Sequence, residues 1–471
     1  MSPRRRRATV LAAATVLCAT AAPVASAAPS APHVTSRGTG VAAHADVAAR
    51  GAGVAEKPSE LPDGLYGTAD PKYDGVWRQS MALLALDGAG AVPAKKAVDW
   101  LAEQQCADGS FTAYRADTTG KCDPDATPSD TNATALAVQA LAAVGGRSDA
   151  VREAVEWLIS VQNKDGGWGS APHAPSDANS TSLAIGALHA AGEDPQKTTA
   201  EGGKSPYDAL LSFQLTCGSK GIEEARGEQG AFAYQPDKKG KLVPNADATA
   251  AASLAALGKG ALTEPPAKDA ENKPVTPLKC ATGADGGNGG NDGDGADGGD
   301  GKGVPGGRKA AAGAGAAYLA ATLEKNGDHF STVMPGASKK QPDYGNTADA
   351  VVALAAGGHL KAAKSSLNWL AKNLDKWDKA KNDPAAISSL MIASRATGGD
   401  PGELGGTDLL SRLNHTGPKP AKMPAADGDS SSSEKKDDGT TIPVWAFILV
   451  GLAIGAGFGI LLSGRRKRQQ L

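Results

Sequence analysis

Three short polar stretches carry the residues best suited to chemistry. Asp130-x-Asn132-x-Thr134, Asp177-x-Asn179-x-Thr181 and Asn245-x-Asp247-x-Thr249 share one spacing, and each leads into a run rich in Ala and Leu. A short polar side chain just before an apolar helix accepts hydrogen bonds from open backbone N–H groups, so capping is the first role these residues offer. Ligand or proton chemistry is the second. If the helices run the same way round a ring, their N-termini gather at one mouth, where open donors and partial positive charge meet the side-chain acceptors. Such a mouth suits a polar, hydrogen-bonding ligand. Asp247 is the weak candidate for a catalytic acid, since Asn132 and Asn179 stand at the equivalent positions and an amide is no proton donor of that strength.

Other chemistries find less to work with. No CxxC or HxxxH spacing is present and the 7 histidines are scattered, so neither zinc nor another metal or cofactor is expected. Asp292, Asp294 and Asp297 partly imitate a calcium loop, but Ala296 breaks the register and no closing Glu follows. The net charge of -2 offers no footprint for nucleic acid.

The elements that must position the polar stretches form a repeat. Trp100-Leu101, Gln105, Gly109 and Phe111 recur at one offset as Trp157-Leu158, Gln162, Gly166 and Trp168, and again as Leu210, Gln214, Gly230 and Phe232 after an insertion. Two degenerate copies, Tyr318-Leu319 with Gly327 and Phe330, and Trp369-Leu370 with Trp377, have Leu323 and Leu374 in place of Gln. Ala- and Leu-rich segments of helical spacing alternate with these, at 131–144, 178–191, 246–257, 347–356 and 384–395. Together they predict an all-α body of about twelve helices punctuated by Gly and Pro.

The segment LISVQNKDGGW, Leu158 to Trp168, resembles the Gln-Trp repeat of squalene and oxidosqualene cyclases and is similar to repeats of protein prenyltransferase β subunits. The resemblance covers roughly 61–416 and implies an α6/α6 toroid in which the repeat Gln and aromatic residues tie outer helices to their neighbours. It also supplies activities to test against the residues. Class II terpene cyclases carry DxDDTA, whereas residues 130–135 read DTNATA, with Asn132 where the acid belongs. Prenyltransferases hold zinc with Asp, Cys and His, and no such set is present; complement-type thioester domains need Cys-Gly-Glu-Gln, and Arg226-Gly227-Glu228-Gln229 lacks the cysteine. Vitamin B12 carriers use the same toroid without catalysis. The resulting expectation is a non-catalytic module that binds a small molecule, such as a corrinoid-like nutrient passed to a membrane transporter. A terpenoid or isoprenoid cyclase or transferase, and a structural or protein-interaction scaffold, are the alternatives.

The ends of the chain act as addresses. Arg4 to Arg7, the apolar 8–22 and Ala25-Ser26-Ala27 have the order of a signal peptide, residues 1–27. Residues 28–60 are a flexible spacer, 282–307 a Gly/Asp-rich insertion and 417–441 a stalk. Residues 442–463 lack charge and at about 1.5 Å per residue span the roughly 30 Å hydrocarbon core. The basic run of the 464–471 tail, Arg465 to Arg468, marks the cytoplasmic side, which puts the body outside the cell. Gly451, Gly455 and Gly459 allow a transmembrane-helix dimer. In an exported body, Cys106 with Cys122 and Cys217 with Cys280 are the expected disulfides, because each pair closes a local loop.

Overall fold

The computed structural model describes residues 61–219, 227–278, 306–333 and 338–424. The signal peptide, the spacer, nearly all of the Gly/Asp insertion with its three aspartates, most of the stalk, the apolar 442–463 run, the basic tail and Cys280 all lie outside the described residues. Among those that are described, no helix is long and apolar enough to cross a membrane.

Thirteen α-helices are present among the described residues. Six of them, α1 (Gly75–Gly88), α3 (Thr131–Val144), α5 (Ala178–Ala190), α7 (Ala246–Ala256), α9 (Tyr344–Ala356) and α12 (Pro384–Ala396), contact one another in sequence and α12 returns to α1, closing an inner ring. An outer helix packs on each: α2 (Lys95–Glu103), α4 (Ser148–Ser160), α6 (Pro206–Ser212), α8 (Gly307–Lys325), α10 (Leu360–Asn373) and α13 (Leu409–His415). The short α11 (Lys379–Asn382) is additional. The expected α6/α6 toroid is therefore present. Two small antiparallel hairpins interrupt the all-α pattern, β1 (Phe330–Thr332) with β2 (Gln341–Asp343) and β3 (Glu403–Leu404) with β4 (Thr407–Asp408). Gly405 and Gly406, at φ 60° and 81°, supply the tight turn of the second.

Composition separates the two rings. Inner helices are packed on several sides: α3 buries every residue from Ala133 to Leu141, and the small Ala side chains let neighbouring helices approach. Outer helices need one apolar stripe, and α2 buries only Ala97, Trp100 and Leu101.

The repeat residues form the joints. Gln105 Nε2 donates to the carbonyls of Gly109 and Ala150, Gln162 Nε2 to those of Gly166 and Thr198, and Gln214 Nε2 to those of Gly230 and Ala311. Each amide thus binds its own loop to the following outer helix or its approach. In the degenerate copies Leu323 and Leu374 are buried, so apolar packing takes over that joint. Phe111, Trp168, Phe232 and Phe330 are buried, and their backbone N–H groups donate to the hydroxyls of Thr134, Thr181, Thr249 and Thr347. Every inner helix so latched is fixed in rotation by its own first turn.

Boundaries shift at two places. Gly307, the last residue of the expected insertion, begins α8. The first residues of the expected stalk join the toroid, with Tyr66 Oη donating to the Pro418 carbonyl at 2.6 Å and Val92 N–H to that of Lys422 at 2.8 Å. These bonds clasp the two ends of the described body beside α1. Cys106 and Cys122 form the expected disulfide, and Cys217 is also disulfide-bonded.

Candidate functional site

The polar stretches sit where the spacing puts them, at the N-termini of α3, α5 and α7. Asp130 accepts from Ala133 N–H at 2.7 Å, Asp177 from Ser180 N–H at 2.7 Å, and Asn245 from Ala248 N–H at 2.9 Å. These three residues are caps. Thr134, Thr181 and Thr249 are committed to the aromatic latches, where each hydroxyl accepts a backbone N–H. Among the nine candidates, only Asn179 and Asp247 line the central cavity.

Asn179 and Asp247 meet across the α5–α7 boundary, with Asn179 Nδ2 donating to Asp247 Oδ2 at 2.5 Å. Both are buried, at 8% and 6% exposure. Among the described residues, the amide oxygen of Asn179 has no hydrogen-bond partner, nor does that of Asn132. Around this pair lies a cavity of about 130 Å³ to which all six inner helices contribute, including Trp77 from α1, Gln139 from α3, Asp349 from α9 and Ser389 from α12.

Asp349 is the residue that the sequence pattern missed. It lies in the second turn of α9, outside any Asp-x-Asn-x-Thr register, and burial, then the charges of Asp247 and Asp343, push its carboxyl up to about 8. It has no hydrogen bond or ion pair among the described residues. Asp177 is pushed up to about 6 by burial, although bonds from Ser180 and the side chain of Tyr234 hold it down in part. A signal for α9 did exist: Asp343 and Thr347 repeat the outer two positions of the motif, with Asp343 accepting from Asn346 N–H at 3.2 Å. Asp383 caps α12 in the same way.

One mouth of the barrel is corked. The segment 259–273, which follows α7, crosses the C-terminal ends of the inner helices. Ala261 N–H donates to Gln139 Oε1 at 2.8 Å, and the Gly260 Cα passes close to Gly186 of α5. Arg395 holds the Thr263 carbonyl at 3.2 Å and the Gly88 carbonyl at 2.9 Å, while Lys273 N–H donates to the Gly358 carbonyl at 2.9 Å. Lys259, Gly260 and Ala261 form the cavity floor. The result is a cup whose acidic wall belongs to the first two turns of α7 and α9.

A ring of paired helices closed upon itself, with its cavity along the axis, defines the α/α toroids. Residues 69–217 match the family model of the prenyltransferase alpha-alpha toroid domain. Among solved structures it is similar to Candida albicans protein geranylgeranyltransferase-I complexed with GGPP, at 16% identity over 34% of this chain and 44% of that one, TM-score 0.26. It is similar also to a protein from Actinoplanes, at 14% identity over 72% of this chain and 95% of that one, TM-score 0.41. No curated protein matches.

Proposed function

We propose that the toroid is a binding module for a small polar molecule, displayed outside the cell on a single membrane helix. The observation that carries the reading is the cavity: the buried polar groups of Asn179 and Asp247 and the half-buried Asp349 line one space among the inner helices. Its volume of about 130 Å³ is below the roughly 300–1,000 Å³ of pockets for drug-sized ligands. A corrinoid is many times larger than this space, which argues against the corrinoid expectation. Native mass spectrometry of the purified full-length chain should detect a small molecule retained by the wild type. Asn179→Ala and Asp247→Ala should lose it while the helical circular-dichroism signal persists. Equal retention by both variants would place the ligand elsewhere.

The tether rests on the basic, apolar and cleavage-site order at 1–27, the uncharged run at 442–463 and the Arg-rich tail after it. Protease added to intact cells should remove the toroid and spare the tail. Survival of the toroid with cleavage at Arg465 to Arg468 would reverse the orientation.

A second reading, an isoprenoid-processing enzyme, draws support from the family-model match and from the raised pKa of Asp349, which makes that carboxyl a proton donor near neutral pH. It requires turnover of an isoprenoid substrate that disappears in Asp349→Asn and Asp247→Asn.

A further inference from the structure

We propose that the ligand of this cavity is a small organic ammonium ion with a compact apolar body, held by Asp247, Asp349 and the amide oxygen of Asn179. The proposal rests on the binding reading above and names the chemistry of the ligand. Asn179 donates an amide N–H to Asp247, and its buried amide oxygen on the cavity wall has no donor among the described residues. The Asp349 carboxyl lines the same space and has no hydrogen bond or ion pair among the described residues. A buried carbonyl without a donor is costly, and beside it stands a half-buried carboxyl without one, so the missing group is a donor that carries positive charge.

Among the described residues no lysine or arginine pairs with Asp349. Lys259 lies on the floor, yet among the described residues it makes no ion pair with Asp349. No group of three His, Cys, Asp or Glu able to hold a metal ion is found among the described residues, so the acceptors do not form a metal site. Gln139, Ser182 and Ser389 add neutral polar groups, and most of the remaining wall is apolar, with Met81, Leu136, Leu183, Leu254, Val352 and Ile392. A cavity of about 150 Å³ accepts benzene, so this one suits an alkyl or aryl body of about four to six heavy atoms.

Proton linkage follows from the charges around Asp349. Asp247 faces it from α7, Asp343 from the start of α9 and Lys259 from the floor, with Asp177 and Tyr234 beyond Asp247. In the empty cavity the Asp349 carboxyl keeps its proton at neutral pH. An entering ammonium ion stabilises the carboxylate, and the proton leaves to solvent: one cation enters, one O–H bond breaks and one proton is released. Affinity then rises by up to about tenfold per pH unit below pH 8, while an alkylammonium stays charged throughout.

Isothermal titration of the purified full-length chain with n-butylammonium chloride, n-butanol and tetramethylammonium chloride, in two buffers of different ionisation heat, tests this. The expected result is n-butylammonium binding with release of about one proton, about tenfold tighter at pH 7.5 than at pH 6.5. The uncharged alcohol and the quaternary ion, which lacks N–H donors, should each bind at least ~10-fold more weakly. Asp349→Asn, and independently Asp247→Asn, should weaken n-butylammonium binding at pH 8 by at least ~10-fold, and the former should abolish proton release. Binding of n-butanol or tetramethylammonium as tight as that of n-butylammonium, or unchanged affinity in Asp349→Asn, overturns the ammonium assignment and leaves the cavity reading standing. Failure of all three probes, together with no molecule retained in native mass spectrometry, overturns both.

Discussion

Asp349→Asn is expected to stabilise the empty toroid at pH 8 by on the order of 3 kcal/mol and to change its stability little at pH 4. The folded chain holds the Asp349 proton up to about pH 8, whereas an unfolded aspartate releases it near 3.8. A group whose folded pKa is raised favours folding at low pH, and that advantage drains away as pH climbs from the unfolded towards the folded value. Asparagine carries no charge at any pH and escapes the penalty. Asp177, held at about 6, adds a slope of the same sign only up to that pH, so the interval from 6 to 8 isolates Asp349. Urea denaturation of both proteins at pH 4, 6 and 8 makes the measurement. A stability difference that stays constant across those values would show that Asp349 is ionised and solvated in the folded chain. The expected trade between stability and binding is itself a mark of a functional residue.

The second large effect lies in the joints. Gly166→Ala should cost roughly 3–5 kcal/mol, because Gly166 has φ 89° and a Cβ there would lie 2.2 Å from the Ser205 carbonyl oxygen. Ser205 is the N-cap of α6 and is locked in a reciprocal capping box with Asp208, so the neighbour cannot retreat cheaply. Gly192→Ala is the control: its φ is 83°, but no atom lies within 4 Å of the added carbon, and the cost should be about 1–2 kcal/mol. Thermal and urea unfolding of the two variants separate backbone strain from collision. Equal losses would mean that the loop moves freely away from α6. Gly109 and Gly230 occupy the same joint, with backbone carbonyl oxygens 2.5 Å and 2.6 Å from their added carbons, so the repeat demands glycine for closeness as well as for φ.

The inner helices were legible because each announces itself twice, by a polar cap and by an apolar run. The segment 131–144 was bounded to the residue, and 178–191 to within one. The outer helices were readable from Trp-Leu pairs and Gln in the first half of the body, and became faint where Leu323 and Leu374 exchange a hydrogen-bonded joint for apolar packing. At the site, pattern located Asn179 and Asp247 but also singled out Thr134, Thr181 and Thr249, whose hydroxyls serve the adjoining loops. Asp349 carried no local signal at all. A lone acid in an Ala-rich helix shows its environment only when the ring closes around it, and nothing in the composition of 259–273 announces that it corks a barrel.

The clasp of Tyr66 on Pro418 and Val92 on Lys422 lies beside the α12–α1 junction, the one seam of the inner ring that joins the two ends of the body. Trp77 and Met81 line the cavity on one side of that seam, and Ser389 and Ile392 on the other. Parting the seam would therefore split the cavity, and a molecule that bridges those walls must add its binding free energy to the work of opening the ring. For the ligand proposed above, occupancy and mechanical closure would be one equilibrium: a loaded ring would resist being unlatched at its ends, and an empty one would be the form in which they part.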